Sequence, residues 1–489
     1  MRADTQLKKA RNGFLKASGK NFLYLQILFL ALFCWVLGAL YKQETKVHNL
    51  HIAFVSYDNQ TGSIAEAIRT AYSSLQGQRF PSLNEFLPTD YPTAADLREA
   101  VCKTHYWAAI YIAPGASARL EAALAGNSTS PYDPSNVLTY IWNEARYPQV
   151  VDATVSGSIQ SLSQTARLVY TSSAQVSSLT SPSALSAFAQ PWTLNSVNIQ
   201  PTTQGSRAIY NTIVIILIMI QEFFYLGIIN ALYINFKIYN RANPYRIIMI
   251  RTANSLLYTF IGSLCAAGAM WAFKADWHVN YNQWVLTWMA LWLFAHVNFL
   301  ALDTFTIWLA HPFVPMSLIT WIIFNVTSIL LPFELSPGFY KIGYAFPARN
   351  VYQVLVDIWS GGCNPELHIA LPVLFAWEVQ AAVAAAQGRA ERRKSVATAV
   401  SKEGEGEREE RVRSPDEIEK VRTAATDADP ERGSSVMDED GDRDTDSELS
   451  RALSRVEDKI RKQQSKASRA SRVEYGPAFG APFDTTDSN

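Results

Sequence analysis

Cysteine is scarce, with four in 489 residues, and its spacing with the seven histidines offers no zinc signature. Net charge is also missing: lysine plus arginine and aspartate plus glutamate stand at 43 each, so no nucleic-acid partner is expected. No G-x-S-x-G turn is present to carry a hydrolase serine. The nearest approach to a phosphate loop is GFLKASGK, residues 13–20. There the glycine before Lys20 falls one residue late, Asn21 stands where Ser or Thr should hold magnesium, and no strand precedes. An enzyme, a metal centre and a cofactor are therefore not expected.

What the chain does have is long apolar runs, hidden by a mean hydropathy near zero. They cover residues 22–41, 209–236, 246–273, 284–310, 313–333 and 367–387. A helix needs about 20 mostly apolar residues to cross the hydrocarbon core, and the first five runs meet that length. The sixth is weaker, holding His368, Pro372 and Glu378, but is counted as a span. A very short turn at His311, Pro312 and Pro315 separates the fourth from the fifth. The first run is too long for a signal-peptide core and reads as an uncleaved signal anchor. Fifteen lysines and arginines, Arg251 among them, lie near the expected inner ends of the spans and six near the outer ends, which places both termini in the cytoplasm.

The fold expected is a polytopic α-helical membrane protein with six spans, one then five, an inserted extracytoplasmic α/β domain and a disordered cytoplasmic tail. Residues 1–21 form the basic N-terminus, 22–41 the first span, 42–208 the outer domain and 209–333 spans two to five. Residues 334–366 make an outer interfacial piece, 367–387 the last span and 388–489 the tail. HIAFVSYD (51–58) and WAAIYIAP (107–114) alternate as strands, and SIAEAIRTAYSSL and ASARLEAALAG follow them with helical spacing. Residues 152–176 read as a longer helix and PWTLNSVNIQP (191–201) as a strand returning to the membrane. Asn59-Gln60-Thr61 and Asn127-Ser128-Thr129 are N-glycan acceptor triplets on the outer side.

Cys34 and Cys265 fall in spans, Cys102 and Cys363 outside. The last two share an oxidising space, but sequence gives no distance between them, and two separate buried thiols are expected rather than a disulfide. The piece 334–366 is too broken by Pro and Gly to cross, and its rings, among them Phe339, Tyr344, Tyr352 and Trp359, suit a half-wet interface. One or two short helices lying on the outer leaflet are expected, with a plain long loop as the alternative. The tail is rich in both charges and poor in aromatics, the composition of disorder. Within it Ser395 follows Arg392-Arg393-Lys394 and Ser414 sits in Arg413-Ser414-Pro415, both kinase-site patterns, and SELSRALSRVEDKIRK carries an apolar stripe amid bases.

TYIWNEARYP, the outer piece PFELSPGFYKIGYAFPARN and LPVLFAWE in the last span, with YDPSNVL before them, carry a resemblance. Over about residues 20–387 the chain resembles the fungal nitrosoguanidine-resistance membrane protein family, and more distantly phage-infection proteins and the membrane domains of type-2 ABC exporters. The resemblance implies a plasma-membrane protein linked to drug or mutagen resistance and to the distribution of phospholipids between leaflets. It supplies no catalytic residues.

The remaining chemical signal is polar residues inside the spans, where an Asp at mid-depth costs about 2.5–3.5 kcal/mol on translocon scales and so faces protein or water. His296 and Asp303 are two helical turns apart on one face of the fourth span, whereas Asn298 points elsewhere. Glu222 lies near the middle of the second span and Glu378 in the sixth. Two readings stand: Glu222, His296, Asp303 and Glu378 line a polar path for protons or lipid head groups, or each makes one interhelical hydrogen bond that locks the bundle. At the level of function the first gives a transporter-like protein for amphipathic compounds or phospholipids. Lacking its own ATPase, that protein needs ion coupling or a separate ATPase or lipid-translocating partner. The second gives a non-transporting regulator or scaffold acting through the outer domain and the tail. Membrane lipids are the expected contacts, and a homo-oligomer is left open.

Overall fold

The structure is a computed structural model that describes residues 2–58, 63–126, 131–173, 181–203, 213–236, 238, 244–309 and 313–387. Asn59, Asn127, Ser395, Ser414 and the amphipathic stretch of the tail lie outside the described residues. Two compact units divide the chain: Met1–Phe223 with Arg251–Ala385, and Phe224–Ile250 with Ala386–Asn489. In the second, the described residues are chiefly the end of one long helix and the beginning of the next.

Helix α1 runs Arg2–Ala39 without a break, so the basic N-terminus and the first apolar run are one helix rather than two segments meeting at residue 21. The α/β domain follows. Strands β1 (His51–Ser56), β2 (Ser82–Phe86), β3 (Ala108–Ile112), β4 (Leu138–Trp142) and β5 (Leu194–Asn198) form one sheet in the order β2-β1-β3-β4-β5. All neighbours are parallel except β3 and β4. Between the strands lie α2 (Ser63–Leu75), α3 (Ala94–Cys102), α4 (Ala116–Leu124), α5 (Gly157–Ser173) and α6 (Pro182–Ala189). Thr93 starts α3 with a capping box, its hydroxyl taking the Asp96 amide while the Asp96 carboxylate takes the Thr93 amide at 2.8 Å. The apolar side chains of one sheet face, Ala53, Val55, Ala109 and Ile141, meet Leu97 and Val101 of α3. The helix expected over 152–176 is the π turn Val151–Ser156 running into α5.

The long apolar helices are α7 (Val214–Asn235), α8 (Pro244–Ala272), α9 (Tyr281–Trp308) and α12 (Leu367–Gln387), with α10 (Val314–Leu330) and α11 (Pro347–Trp359) between the last two. Among the described residues five helices, α1, α7, α8, α9 and α12, are long and apolar enough to cross a membrane. The fifth expected span is α10, whose 17 residues rise about 26 Å and end before Pro332, short of the usual crossing length. Two thirds of the apolar window of α9 is buried, against a third or less in the other four, so α9 is the hub of the bundle.

The piece 334–366 departs from the interfacial helices expected. A 3-10 segment, Gly338–Ala345, keeps Phe339 and Tyr344 exposed, but α11 has only one residue that is not buried, and Tyr352 and Trp359 are 1% and 2% exposed. Protein covers α11 because its polar ends are bonded by the bundle. The Asn325 side chain of α10 accepts the Ala348 amide at 3.1 Å, and Gln283 of α9 donates to the carbonyls of Ile358 and Trp359 at 2.8 and 3.2 Å. Cys102 and Cys363, expected as separate thiols, form a disulfide across 261 residues, because α3 brings its last residue against the loop that follows α11.

A buried polar column in the helix bundle

The sequence places residues every fourth position on two facing helices. On α9 these are Trp284, Trp288, Trp292 and His296; on α8 they are Arg251, Ser255, Thr259 and Ser263, all buried. A spacing of four keeps each set on one face. Small hydroxyl residues on α8 let the indoles of α9 approach its backbone, and each donates to a carbonyl: Trp284 to Ala267 at 2.9 Å, Trp288 to Phe260 at 3.2 Å and Trp292 to Leu256 at 3.3 Å. The α8 hydroxyls bond back to their own helix, as Thr259 does to the Ser255 carbonyl at 2.8 Å. None is left bare in an apolar interior.

Beyond the tryptophans the same face becomes ionisable. His296 Nε2 lies 3.3 Å from the Ser255 hydroxyl, and its Nδ1 lies 2.5 Å from Glu378 Oε1 on α12. Two turns further, Asp303 accepts Arg251 Nη2 at 2.6 Å, with the two side chains 1% and 3% exposed. Ten consecutive residues of α9, Phe294 to Asp303, are buried. Three helices thus close on one short column, in which Arg251 and Asp303 offset the cost of removing each other's charge from water.

The structure therefore brings together His296, Asp303 and Glu378 of the four residues singled out in the sequence. It leaves Glu222 apart: that carboxylate is 1% exposed in the apolar stripe Ile215, Ile218 and Met219 of α7, and its Oε2 has no hydrogen-bond partner among the described residues. Next to it Gln221 lines an apolar groove of about 310 Å³ between α7 and α8. Gly262 admits the Gln221 amide here, since a Cβ at that position would sit 2.5 Å from it. Asn298 points away from that face, toward α10, where its side-chain oxygen accepts the Trp321 indole at 2.8 Å.

Sequence reasoning missed Arg251. It had been placed among the cytosolic anchoring bases although it lies within the apolar run 246–273; in the structure it is the buried partner of Asp303 and leaves that set. Its position one turn before Ser255, Thr259 and Ser263 was the available signal.

A second cluster joins the α/β domain to α11. Each side chain of Trp142-Asn143-Glu144 reaches another segment: Trp142 donates to Ser196, Asn143 to the Cys363 carbonyl at 3.2 Å, and Glu144 accepts Asn198 at 2.7 Å and the Thr202 hydroxyl. Arg146 stacks over Trp107, 3.9 Å from the ring centroid, and Tyr147 packs against Tyr352 of α11. The Tyr352 hydroxyl donates to the Arg146 carbonyl at 3.1 Å. Burial pushes the Tyr147 phenol up and the Arg146 guanidinium down from their ordinary values. Arg349 of α11 pairs with Glu366 at 3.2 Å.

The family described as protein of unknown function (DUF3533) matches residues 21–383. The chain belongs to the DUF3533 family. The match takes in the polar column, both halves of the disulfide and the joint, and the DUF3533 region ends within α12. No solved structure matches the chain. Among the described residues no group of three or more His, Cys, Asp or Glu is placed to hold a metal ion.

Proposed function

We propose that the chain is a transporter-like integral membrane protein of the plasma membrane, one that moves or redistributes amphipathic compounds or phospholipids and so contributes to drug or mutagen resistance. The observation that carries this reading is the buried column of His296 with Glu378 and Asp303 with Arg251 on the hub helix, since ionisable groups inside a bundle usually mark ion or substrate paths. The resemblance to the nitrosoguanidine-resistance proteins supplies the compound class. Energy comes from an ion gradient or from a separate ATPase partner.

The disulfide supports an α/β domain on the outer side, because such bonds persist in oxidising compartments. It also bears on the number of spans. Cys102 and Cys363 share one side only if an even number of crossings separates them, and α7, α8 and α9 make three. Counting the short α10 as the fourth crossing meets this requirement and supports the reading of six spans with both termini in the cytoplasm.

A second reading, a membrane regulator or scaffold, is favoured by the joint, which fastens the α/β domain to α11 and through it to α9 and α10. Liposomes holding the full chain and a fluorescent phospholipid separate the two. Gradient-dependent movement that is lost in Asp303→Asn supports transport. No movement under any gradient, with resistance lost on removing residues 388–489, supports the regulator and contradicts transport.

A further inference from the structure

The two ionisable pairs of the column differ in how they are held. Arg251 and Asp303 lie on α8 and α9, which the tryptophan row also fastens, and both side chains are almost wholly buried. His296 and Glu378 join α9 to α12, and the Glu378 side chain keeps 24% of its surface exposed. Helix α12 is buried over only 22% of its apolar window. Besides the Glu378 contact, its Trp377 donates to the Ala345 carbonyl at 2.7 Å and packs against Trp321. The first pair joins two helices fastened along their length; the second joins α9 to α12, which stands at the bundle's edge.

We propose that His296 and Glu378 form a proton-binding site whose occupancy decides whether α12 stays docked on α9. This rests on the column being the working part of the molecule, and adds that its ligand is the proton. The site has three states. With one proton shared beyond that of the neutral imidazole, the pair carries no net charge, either as imidazolium and carboxylate or as imidazole and carboxylic acid, and the short contact holds. Loss of that proton to water leaves a carboxylate beside a neutral imidazole, with no cation to offset it. Gain of a second proton leaves an imidazolium beside a carboxylic acid. Either net charge is costly in an apolar interior, and α12 can relieve the cost by moving Glu378 out.

The groups facing the pair do not abolish this dependence. From α8 come Ser255, which stays neutral, and Arg251, which is engaged by Asp303. Helix α10 contributes no charge, since Val314–Leu330 contains no Asp, Glu, Lys, Arg or His. Among the described residues Glu222 of α7 is not hydrogen-bonded to the pair. Proton exchange at this site would give a transporter its coupling ion, since uptake and release would accompany undocking of a helix at the bundle's edge.

The test uses the full chain in lipid nanodiscs, with Cys34 and Cys265 replaced by Ser and spin labels at the exposed positions Val379→Cys on α12 and Leu286→Cys on α9. The expected result is one label-to-label distance at acidic pH and a second, longer one that becomes dominant as the pH is raised and the shared proton is lost. In Glu378→Gln the pair is neutral once His296 is neutral, so the short distance should persist at the higher pH. A distance that does not change with pH in the parent protein, or a change that survives Glu378→Gln, overturns the proposal. The two readings fail separately. Lipid movement with a static α12 sinks this site alone, whereas a pH-driven α12 without lipid movement sinks transport and leaves the site standing.

Discussion

The α/β domain and the helix bundle use the same ion-pair chemistry in opposite places. In the domain, Arg69 and Glu85 meet at 2.7 Å with about a third or more of each side chain exposed. In the bundle, Arg251 and Asp303 meet at 2.6 Å with almost nothing exposed. Water screens the first pair, so it contributes little. The second exists because each charge would otherwise be stranded in an apolar interior. Similar distances thus conceal different roles, and surroundings rather than geometry set what each pair does.

The largest expected break in this comparison is Arg251→Met, which leaves Asp303 buried without its cation and should cost about 3–5 kcal/mol. Thermal unfolding of the purified full chain in detergent should show an early loss of the helical signal; an unchanged midpoint would mean that Asp303 has another route to neutrality. Next comes Cys363→Ser, which frees the domain from the loop after α11. Loss of a native disulfide typically costs about 2–5 kcal/mol, and limited proteolysis should cut the α/β domain away sooner than in the parent chain. Trp288→Phe keeps an aromatic side chain but removes the indole N–H that donates to the Phe260 carbonyl and part of the ring volume, and should cost about 1 kcal/mol for the bond plus a smaller packing loss. Smallest is Glu85→Gln, predicted at about 1 kcal/mol or less by the same unfolding measurement, since its partner Arg69 stays hydrated and also meets Glu66.

The two regions also differ in how much of them could be read from sequence. In the domain, β1, β3, α2 and α4 announce themselves through alternation and helical spacing, and the structure has all four. Strand β2 escaped because SLNEF is a partly exposed edge with polar Asn84 and Glu85, and β4 because five fully buried residues show no alternation. In the bundle, hydropathy located every long helix but could not say which side chains meet. His296 and Asp303 were legible as one face from their spacing; Glu378 and Arg251 as their partners were not, because that depends on which helices pack. The apolar length of 313–333 overstated α10, which Pro332 terminates. Rings in 334–366 were read as one interfacial set, yet they divide between exposed Phe339 and Tyr344 and buried Tyr352 and Trp359, a distinction made by the bundle side chains that bond both ends of α11.

The central claim is that charges in the bundle are held by one another across α8 and α9. Exchanging them tests it most directly: Arg251→Asp and Asp303→Arg should each lower the unfolding midpoint of the full chain sharply, and the two together should recover most of the loss. A doubly exchanged protein no more stable than the worse single variant, or single variants as stable as the parent, would contradict it.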